Sequence, residues 1–393
     1  MLEANSTPAL NASGPETPAV GSASQSPMPV SAPTPLADAL GASASLQLAG
    51  YRGAITAAEF SETVSEMSAL LSGAGVYDLG WRGLLRCDGE DSVRWLNGMV
   101  TNSVVGLAEN QGCYAFVLNA QGRIQGDLYI YRSAGALWLQ TDASQLGTLA
   151  AYLERYIIMD DVVLQRAEEW TAVGVAGPHA ANMLGLAGFP IPPAGAMQME
   201  NTLWKGLRVM TIGGYSPLVP RYEIWCEPKD VLEVWNALTA SGAAPCGAQA
   251  VEQLRILEGT PAYSIDITGR DLPQETGQTR ALHFSKGCYI GQEIVERIRS
   301  RGNVHRSFSG FLVRNNCELP KPNPRIPLLA ENKSVGELSS VGFIRFRDGT
   351  ERVLALGTIR REALDRKLEL NAGGCAVTPA SLPFDFKPSA VQP

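Results

Sequence analysis

The chain has few of the residues that hold metals or form disulfides. Only three histidines, His179, His283 and His305, occur among 393 residues, and they are too scattered for a convincing metal site. The seven cysteines include no Cys-x-x-Cys pair, and an odd, scattered set is typical of reduced thiols rather than of a disulfide framework. The sequence therefore predicts no metal centre and a reducing, cytoplasmic environment.

An excess of positive charge and a long apolar run are also missing. Outside the first 48 residues, which hold three acids and neither Lys nor Arg, 36 acidic residues face 32 basic ones. Nucleic-acid binders usually carry a basic excess, so no direct nucleic-acid partner is expected. No stretch approaches 18 consecutive apolar residues, and the N-terminus lacks the basic and apolar regions of a signal peptide. We therefore expect no membrane partner, and we expect a monomer.

The length allows two or three domains with a sizeable core. Residues 1–48 are rich in Ala, Ser and Pro and contain no aromatic residue, which predicts a disordered tail. We expect a first domain over 49–170, a second over 171–304 and a small β-barrel-like domain over 305–376. Residues 377–393 are predicted to form a loose tail, and the alternative for 171–304 is that part of it returns to the first domain.

Short strands and helices alternate along the chain, and this mixture indicates an α+β fold rather than a doubly wound parallel sheet. The run from Arg123 to Tyr131 alternates as a strand does, with Asp127 and Tyr129 on its polar face. Farther on, 294–300 and 304–313 also alternate around a glycine at 302, which predicts a β-hairpin.

One stretch concentrates chemical groups, and it reads Lys286-Gly287-Cys288-Tyr289-Ile290-Gly291-Gln292-Glu293. Two glycines would let the backbone turn tightly or approach a ligand closely. A cation and a helix start near Cys288 both favour the thiolate form. The alternative is a glycine-rich turn around a buried, inert cysteine.

This octapeptide resembles the K-G-C-Y-x-G-Q-E signature of the YgfZ-type folate-binding proteins, relatives of the glycine-cleavage T-protein, an aminomethyltransferase. Several flanking motifs extend the resemblance in the same order over about residues 50 to 376: 75–79, 94–102, 112–123, 271–278 and 294–301. The resemblance implies two α/β-mixed domains and a small C-terminal β-barrel, with a folate groove at the domain junction. The cofactor it implies is tetrahydrofolate or a derivative.

The resemblance also implies roles for particular residues. Cys288 would be the reactive thiol, with Lys286 beside it. The implied folate-binding residues are Asp127, Glu223, Arg255, Gly287, Tyr289, Gly291, Gln292 and Glu293.

Three of these residues keep a structural alternative. Glu223 resembles the T-protein glutamate that grips the pterin edge, but a solvent-facing strand glutamate would look the same. Arg255 could clasp a carboxylate or form a structural ion pair. Asp127 could contact folate or lie on the surface. T-proteins have an aspartate pair here, and Gly126 stands in place of the first, which argues against aminomethyl transfer.

The resemblance therefore implies a tetrahydrofolate-binding accessory protein for iron–sulfur cluster assembly or repair, with iron–sulfur enzymes, including tRNA-modifying ones, or assembly proteins as partners. A folate-dependent aminomethyltransferase is the first alternative. A folate-binding interaction module without chemistry, in which Cys288 is merely structural, is the second.

Overall fold

A computed structural model describes residues 32–41, 46–302, 304–314, 319 and 325–385. The helices are α1 (Pro35–Gly41), α2 (Thr63–Ser72), α3 (Ser92–Met99), α4 (Ala143–Glu154), α5 (Ala180–Ala187), α6 (Val231–Ala240), α7 (Ala248–Glu258), α8 (Gln292–Arg301) and α9 (Arg361–Asp365). The strands are β1 (Gln47–Tyr51), β2 (Ala54–Glu59), β3 (Gly75–Asp78), β4 (Arg82–Asp88), β5 (Gly112–Leu118), β6 (Ile124–Ser133), β7 (Ala136–Asp142), β8 (Val163–Arg166), β9 (Thr171–Ala176), β10 (Met199–Trp204), β11 (Leu207–Gly214), β12 (Arg221–Cys226), β13 (Ala244–Cys246), β14 (Arg306–Val313), β15 (Ile326–Ala330), β16 (Lys333–Arg345), β17 (Glu351–Arg360), β18 (Leu370–Ala372) and β19 (Cys375–Ala380).

These strands form two open sheets, a closed barrel and a short hairpin. The five-stranded sheet has the order β5-β6-β7-β4-β8, and the six-stranded sheet has the order β10-β11-β12-β9-β3-β13. The barrel closes in the order β14-β17-β16-β15-β18-β19, and β1 pairs with β2. The predicted α+β class and the C-terminal barrel are therefore confirmed.

The strand pairing does not follow a cut at residue 170. Strand β3 lies antiparallel to β9 and parallel to β13, so an early segment completes the sheet of the later one. Local sequence patterns cannot reveal this, because the three strands are far apart in the chain and meet only through tertiary pairing.

The prediction of disorder is wrong for residues 35–41, which form α1. Leu36 is fully buried against the six-stranded sheet, and the Thr34 hydroxyl donates a hydrogen bond to the Asp78 carboxylate. An Ala-rich segment is ordered here because it covers an apolar face that the rest of the chain provides. Residues 32–34 and 46 of the predicted tail are also described, and 47–48 begin β1, whereas 1–31 and 42–45 lie outside the described residues.

The predicted loose tail after residue 376 is also partly ordered. Strand β19 pairs with β14 as far as Ala380, and Phe384 is buried in the core that joins the barrel to α7. Residues 386–393 lie outside the described residues.

The predicted hairpin over 294–313 is wrong in its first half, which is α8. Ile294, Val295 and Ile298 stand at spacings that share one helical face, and Val295 is fully buried. Gly302, with φ of +74°, ends the helix as a left-handed cap rather than turning a hairpin.

The expectation of reduced thiols needs one correction, because Cys375 is disulfide-bonded. The free cysteines among the described residues are Cys87, Cys113, Cys226, Cys246 and Cys288. Among the described residues, no helix is long and apolar enough to cross a membrane.

Candidate functional site

A cavity lies where the two open sheets face α7, and its wall includes Asp127, Glu223 and Arg255. These residues lie on β6, β12 and α7, about 130 positions apart in the chain at the extremes. The sequence singled out each of them separately, and the fold brings all three to one pocket. Aromatic rings supply flat walls, and Tyr77, Trp81, Tyr114, Tyr129, Tyr215 and Tyr263 are among them.

Glu223 is buried, with 6% of its surface exposed, so the solvent-facing alternative is wrong. Its Oε2 accepts hydrogen bonds from Gln140 Nε2 at 2.6 Å and from Trp225 Nε1 at 3.0 Å. Gln140 Oε1 is also buried, and it has no hydrogen-bond partner within the described part of the chain. The pocket thus holds a carboxylate and a vacant amide acceptor side by side, a combination suited to a ligand edge rich in N–H donors.

A glycine beside Glu223 makes room for an aromatic ring of the pocket wall. The register partner of Glu223 on β9 is Gly174, where a Cβ would lie 2.2 Å from the Tyr77 ring. Glycine therefore lets the Tyr77 ring pack across the sheet and line the pocket.

Asp127 faces the pocket, as the alternation of β6 predicts. Its Oδ2 accepts a hydrogen bond from the Tyr114 hydroxyl at 2.7 Å, and its Oδ1 accepts one from Gln145 Nε2 at 2.9 Å. Burial raises the pKa of Asp127, and the nearby Asp142 carboxylate raises it further. A carboxyl with a raised pKa in a cavity is suited to exchanging a proton with a bound amine.

Gly126 points the other way, toward α4. A Cβ at this position would lie 2.9 Å from Leu149 Cδ1 and 3.1 Å from Gln145 Oε1. The aspartate that this chain lacks would therefore not reach the pocket from β6. Its absence therefore leaves the Asp127 carboxylate in the pocket and does not argue against aminomethyl transfer.

Arg255 lines the pocket, but its five N–H donors are already used. Nε and Nη2 bind Glu252 at 3.0 and 2.6 Å, Nη1 binds Asp266 at 2.6 Å and the Thr260 carbonyl at 2.7 Å, and Nη2 also binds Ser340 Oγ at 2.7 Å. The structure therefore favours the ion-pair alternative over the clasping of a ligand carboxylate. Arg255 ties α7 to the barrel strand β16.

Arg280 also lines the pocket, and no pattern in the sequence indicated it. Its guanidinium carbon lies 4.1 Å from the Tyr114 ring centroid and 4.0 Å from that of Tyr215. A single arginine in a short 3-10 turn carries no pattern, so only the fold could identify it.

The octapeptide signature lies outside this pocket. Lys286 Nζ donates to the backbone carbonyls of Asn97, Val100 and Asn102 at 2.5, 2.7 and 2.7 Å. An ammonium has three donors, so these bonds use all of them and none is directed at Cys288. Burial lowers the pKa of Lys286 to about 8, while the three carbonyls favour the charged form that donates to them.

The rest of the signature shapes the start of α8. Gly291 has φ of +80°, and a Cβ there would lie 2.6 Å from the Asn119 carbonyl oxygen, so this glycine is required by the turn between β5 and β6. Tyr289 N donates to Gln292 Oε1 at 3.3 Å, and the Tyr289 ring centroid lies 5.0 Å from Lys286 Nζ. The predicted folate contacts from Gly287, Tyr289, Gly291, Gln292 and Glu293 do not fit this placement, because none of these residues lines the pocket.

Cys288 is exposed, so it is not the buried cysteine of the alternative interpretation, and its reactivity stays a prediction. The thiols of Cys87, Cys113 and Cys226 have pKa values raised to about 12, chiefly by burial, and burial also raises the pKa of Cys246. Accessibility and thiolate content both control cysteine reactivity.

We therefore expect iodoacetamide at neutral pH to alkylate Cys288 before the other free cysteines of the native protein. Peptide mass spectrometry over a time course measures the order, with denatured protein as the control in which all thiols react. Modification of Cys288 no faster than that of Cys87 would contradict the prediction.

Among the described residues, no group of three or more His, Cys, Asp or Glu side chains is placed to hold a metal ion.

Comparisons with known proteins agree on the fold. The family model for the GCVT N-terminal domain matches residues 39–286. An aminomethyltransferase of Rubrobacter xylanophilus is 27% identical over 269 residues, which are 67% of this chain and 72% of that protein. A candidate chloroplastic transferase of Arabidopsis thaliana is 26% identical over 303 residues, 76% of this chain and 68% of that one.

A solved structure is also similar. The glycine cleavage system aminomethyltransferase T from Bartonella henselae aligns with a TM-score of 0.80 at 19% identity, covering 89% of this chain and 97% of that one. The predicted T-protein-like fold is confirmed by this similarity.

Proposed function

Because the chain belongs to the GCVT N-terminal domain family, we propose that it binds tetrahydrofolate or a derivative in the pocket lined by Asp127 and Glu223. The observation that carries this proposal is the buried Glu223 carboxylate, next to the vacant Gln140 Oε1, in a pocket walled by aromatic rings. A reduced pterin is flat and has an edge rich in N–H donors, so it would pair with these acceptors.

Within this family we assign the chain to the YgfZ-type branch, on the strength of the signature from Lys286 to Glu293. In this role the protein supports the assembly or repair of iron–sulfur clusters in other enzymes, in the cytoplasm and without a resident metal. What supports this proposal is that the pocket and Cys288 lie in separate places in the fold. The pocket would hold the folate, while Cys288 is exposed outside it and accessible to a macromolecular partner.

Two measurements test this proposal. Calorimetric titration with 5-formyltetrahydrofolate is expected to give saturable binding, and no binding at millimolar ligand would refute the folate assignment. In cells that lack the protein, lowered activity of iron–sulfur enzymes is expected to be restored by the wild type but not by Cys288→Ser. Cys113→Ser, at a half-buried free thiol, is the matched control. Full rescue by Cys288→Ser would refute the role of this thiol.

Aminomethyl transfer to folate is the second candidate, and the orientation of Asp127 favours it. Tetrahydrofolate carries one-carbon units on its ring nitrogens, and the Asp127 carboxyl would hold or exchange a proton at such a nitrogen. Several relatives are named aminomethyltransferases.

One assay distinguishes the two candidates. With an aminomethylated lipoyl carrier protein and tetrahydrofolate, the accessory role predicts no methylenetetrahydrofolate above background. Turnover that Asp127→Asn abolishes would establish the transferase instead.

A further inference from the structure

Arg280 is a pocket arginine whose hydrogen bonding is incomplete. Its guanidinium lies between the Tyr114 and Tyr215 rings, its Nη2 donates to the Tyr129 hydroxyl at 3.3 Å, and its Nε donates to Gln278 Oε1 at 3.2 Å. Nη1 is buried and has no hydrogen-bond partner within the described part of the chain. A buried charged donor without an acceptor is costly, so a ligand atom that accepts from Nη1 would be strongly favoured.

The other arginines of the pocket differ from Arg280 in having carboxylate neighbours. Arg52 pairs with Asp142 and Glu252, and Arg82 Nε lies 3.6 Å from Asp142 Oδ1. Arg221 pairs with Glu258. Arg255 pairs with Glu252 and Asp266. For Arg280 the described residues provide phenol and amide oxygens but no carboxylate within 4.0 Å. The charge of its guanidinium is therefore not neutralised by an ion pair there.

The backbone that carries Arg280 is firmly held. Asn102 Nδ2 donates to the Arg280 carbonyl at 2.9 Å, and Thr101 Oγ1 donates to the Ala281 carbonyl at 2.6 Å. The Asn102 carbonyl in turn accepts from Lys286 Nζ. The two tyrosine rings restrict the guanidinium as well, so its orientation is fixed before a ligand enters.

We propose that Arg280 binds an anionic group of the pocket's ligand, so that the pocket selects a reduced pterin that carries a carboxylate over one that does not. This inference rests on the proposed folate-binding function and adds a residue that discriminates among ligands. A carboxylate suits Arg280 because charge-assisted hydrogen bonds to guanidinium are stronger than neutral ones, and a low-dielectric site strengthens them further.

The test compares 5-formyltetrahydrofolate with its glutamyl dimethyl ester, which keeps the pterin and removes the negative charges. Each is titrated into wild type, Arg280→Gln and Arg208→Gln by calorimetry. Arg208 is the matched control, because it also lies over an aromatic ring, that of Trp170, and pairs with Glu227 outside the pocket. Thermal unfolding of each variant checks that the fold is retained.

The wild type and Arg208→Gln are expected to prefer the acid by about tenfold or more, as for a charge-assisted bond. Arg280→Gln is expected to lose this preference by binding the acid more weakly, with little change for the ester. Equal weakening of both ligands, or an unchanged preference for the acid, would overturn the inference while leaving folate binding intact. Failure of both ligands to bind the wild type would overturn the proposed function and this inference with it.

Arg280→Lys provides a second criterion, and it also serves if Arg280→Gln unfolds. It retains the positive charge and is expected to recover part of the preference for the acid. If folded Arg280→Lys binds the acid no more tightly than the ester, the positive charge is not the cause of the preference, and the inference is overturned.

Discussion

Lys286→Met is expected to lower the free energy of unfolding by about 1–3 kcal/mol, because it leaves carbonyl acceptors without a donor in a part-buried site. The three acceptors belong to Asn97, Val100 and Asn102, at the end of α3 and just after it. Methionine has a similar length and fills the space of the lysine stem, so the change removes the donors more than the packing.

Equilibrium denaturation in guanidinium chloride measures this effect, with Lys229→Met as the matched control. Lys229 pairs with Glu227, but its side chain is 73% exposed, and exposed pairs contribute about 0–1 kcal/mol. A loss for Lys286→Met no larger than that of the control would contradict a structural role for the signature lysine.

The result bears on how the signature should be interpreted. In the sequence, Lys286 lies two residues from Cys288, and this spacing predicts that its positive charge favours the thiolate form of the cysteine. In the fold, the side chain instead donates to the carbonyls at the end of α3 and just after it. Short sequence distance limits how far apart two backbones can lie, but it does not fix where a long side chain donates its hydrogen bonds.

Periodicity in the sequence predicted the elements whose pattern is local. The alternation of β6 placed Asp127 on the opposite face from Gly126, and the pocket and α4 now occupy those two faces. The same alternation failed at α8, because Ile294 and Ile298 share a face in a strand as well as in a helix. Val295 is fully buried against the rest of the protein, and this tertiary contact favours the helix.

Long-range contacts determine the parts of the site that the sequence could not reveal. Arg255 finds Asp266 eleven residues away and Ser340 eighty-five residues away, and together with Glu252 they use donors that a ligand would otherwise take. Gln140 reaches Glu223 across the two sheets. Neither arrangement leaves a pattern in the local sequence, because each depends on how separate sheets and the barrel pack.

Glu223→Gln is expected to weaken the binding of reduced folate by about 1–3 kcal/mol, or roughly fivefold to 150-fold in dissociation constant. The amide keeps one acceptor oxygen for Gln140 Nε2 and Trp225 Nε1, so the shape of the pocket is retained. It replaces the second carboxylate oxygen by an NH2 group, which would face the N–H donors of the pterin edge and repel them.

Calorimetric titration with 5-formyltetrahydrofolate measures the change, and Glu227→Gln is the matched control. Glu227 follows the same strand, but it pairs with Lys229 and Arg208 outside the pocket, so its replacement is expected to leave affinity unchanged. Thermal unfolding separates loss of binding from loss of fold. If folded Glu223→Gln binds as tightly as the wild type, the pterin edge does not meet this carboxylate, and Asp127 and Asp142 are the other pocket carboxylates that could receive it.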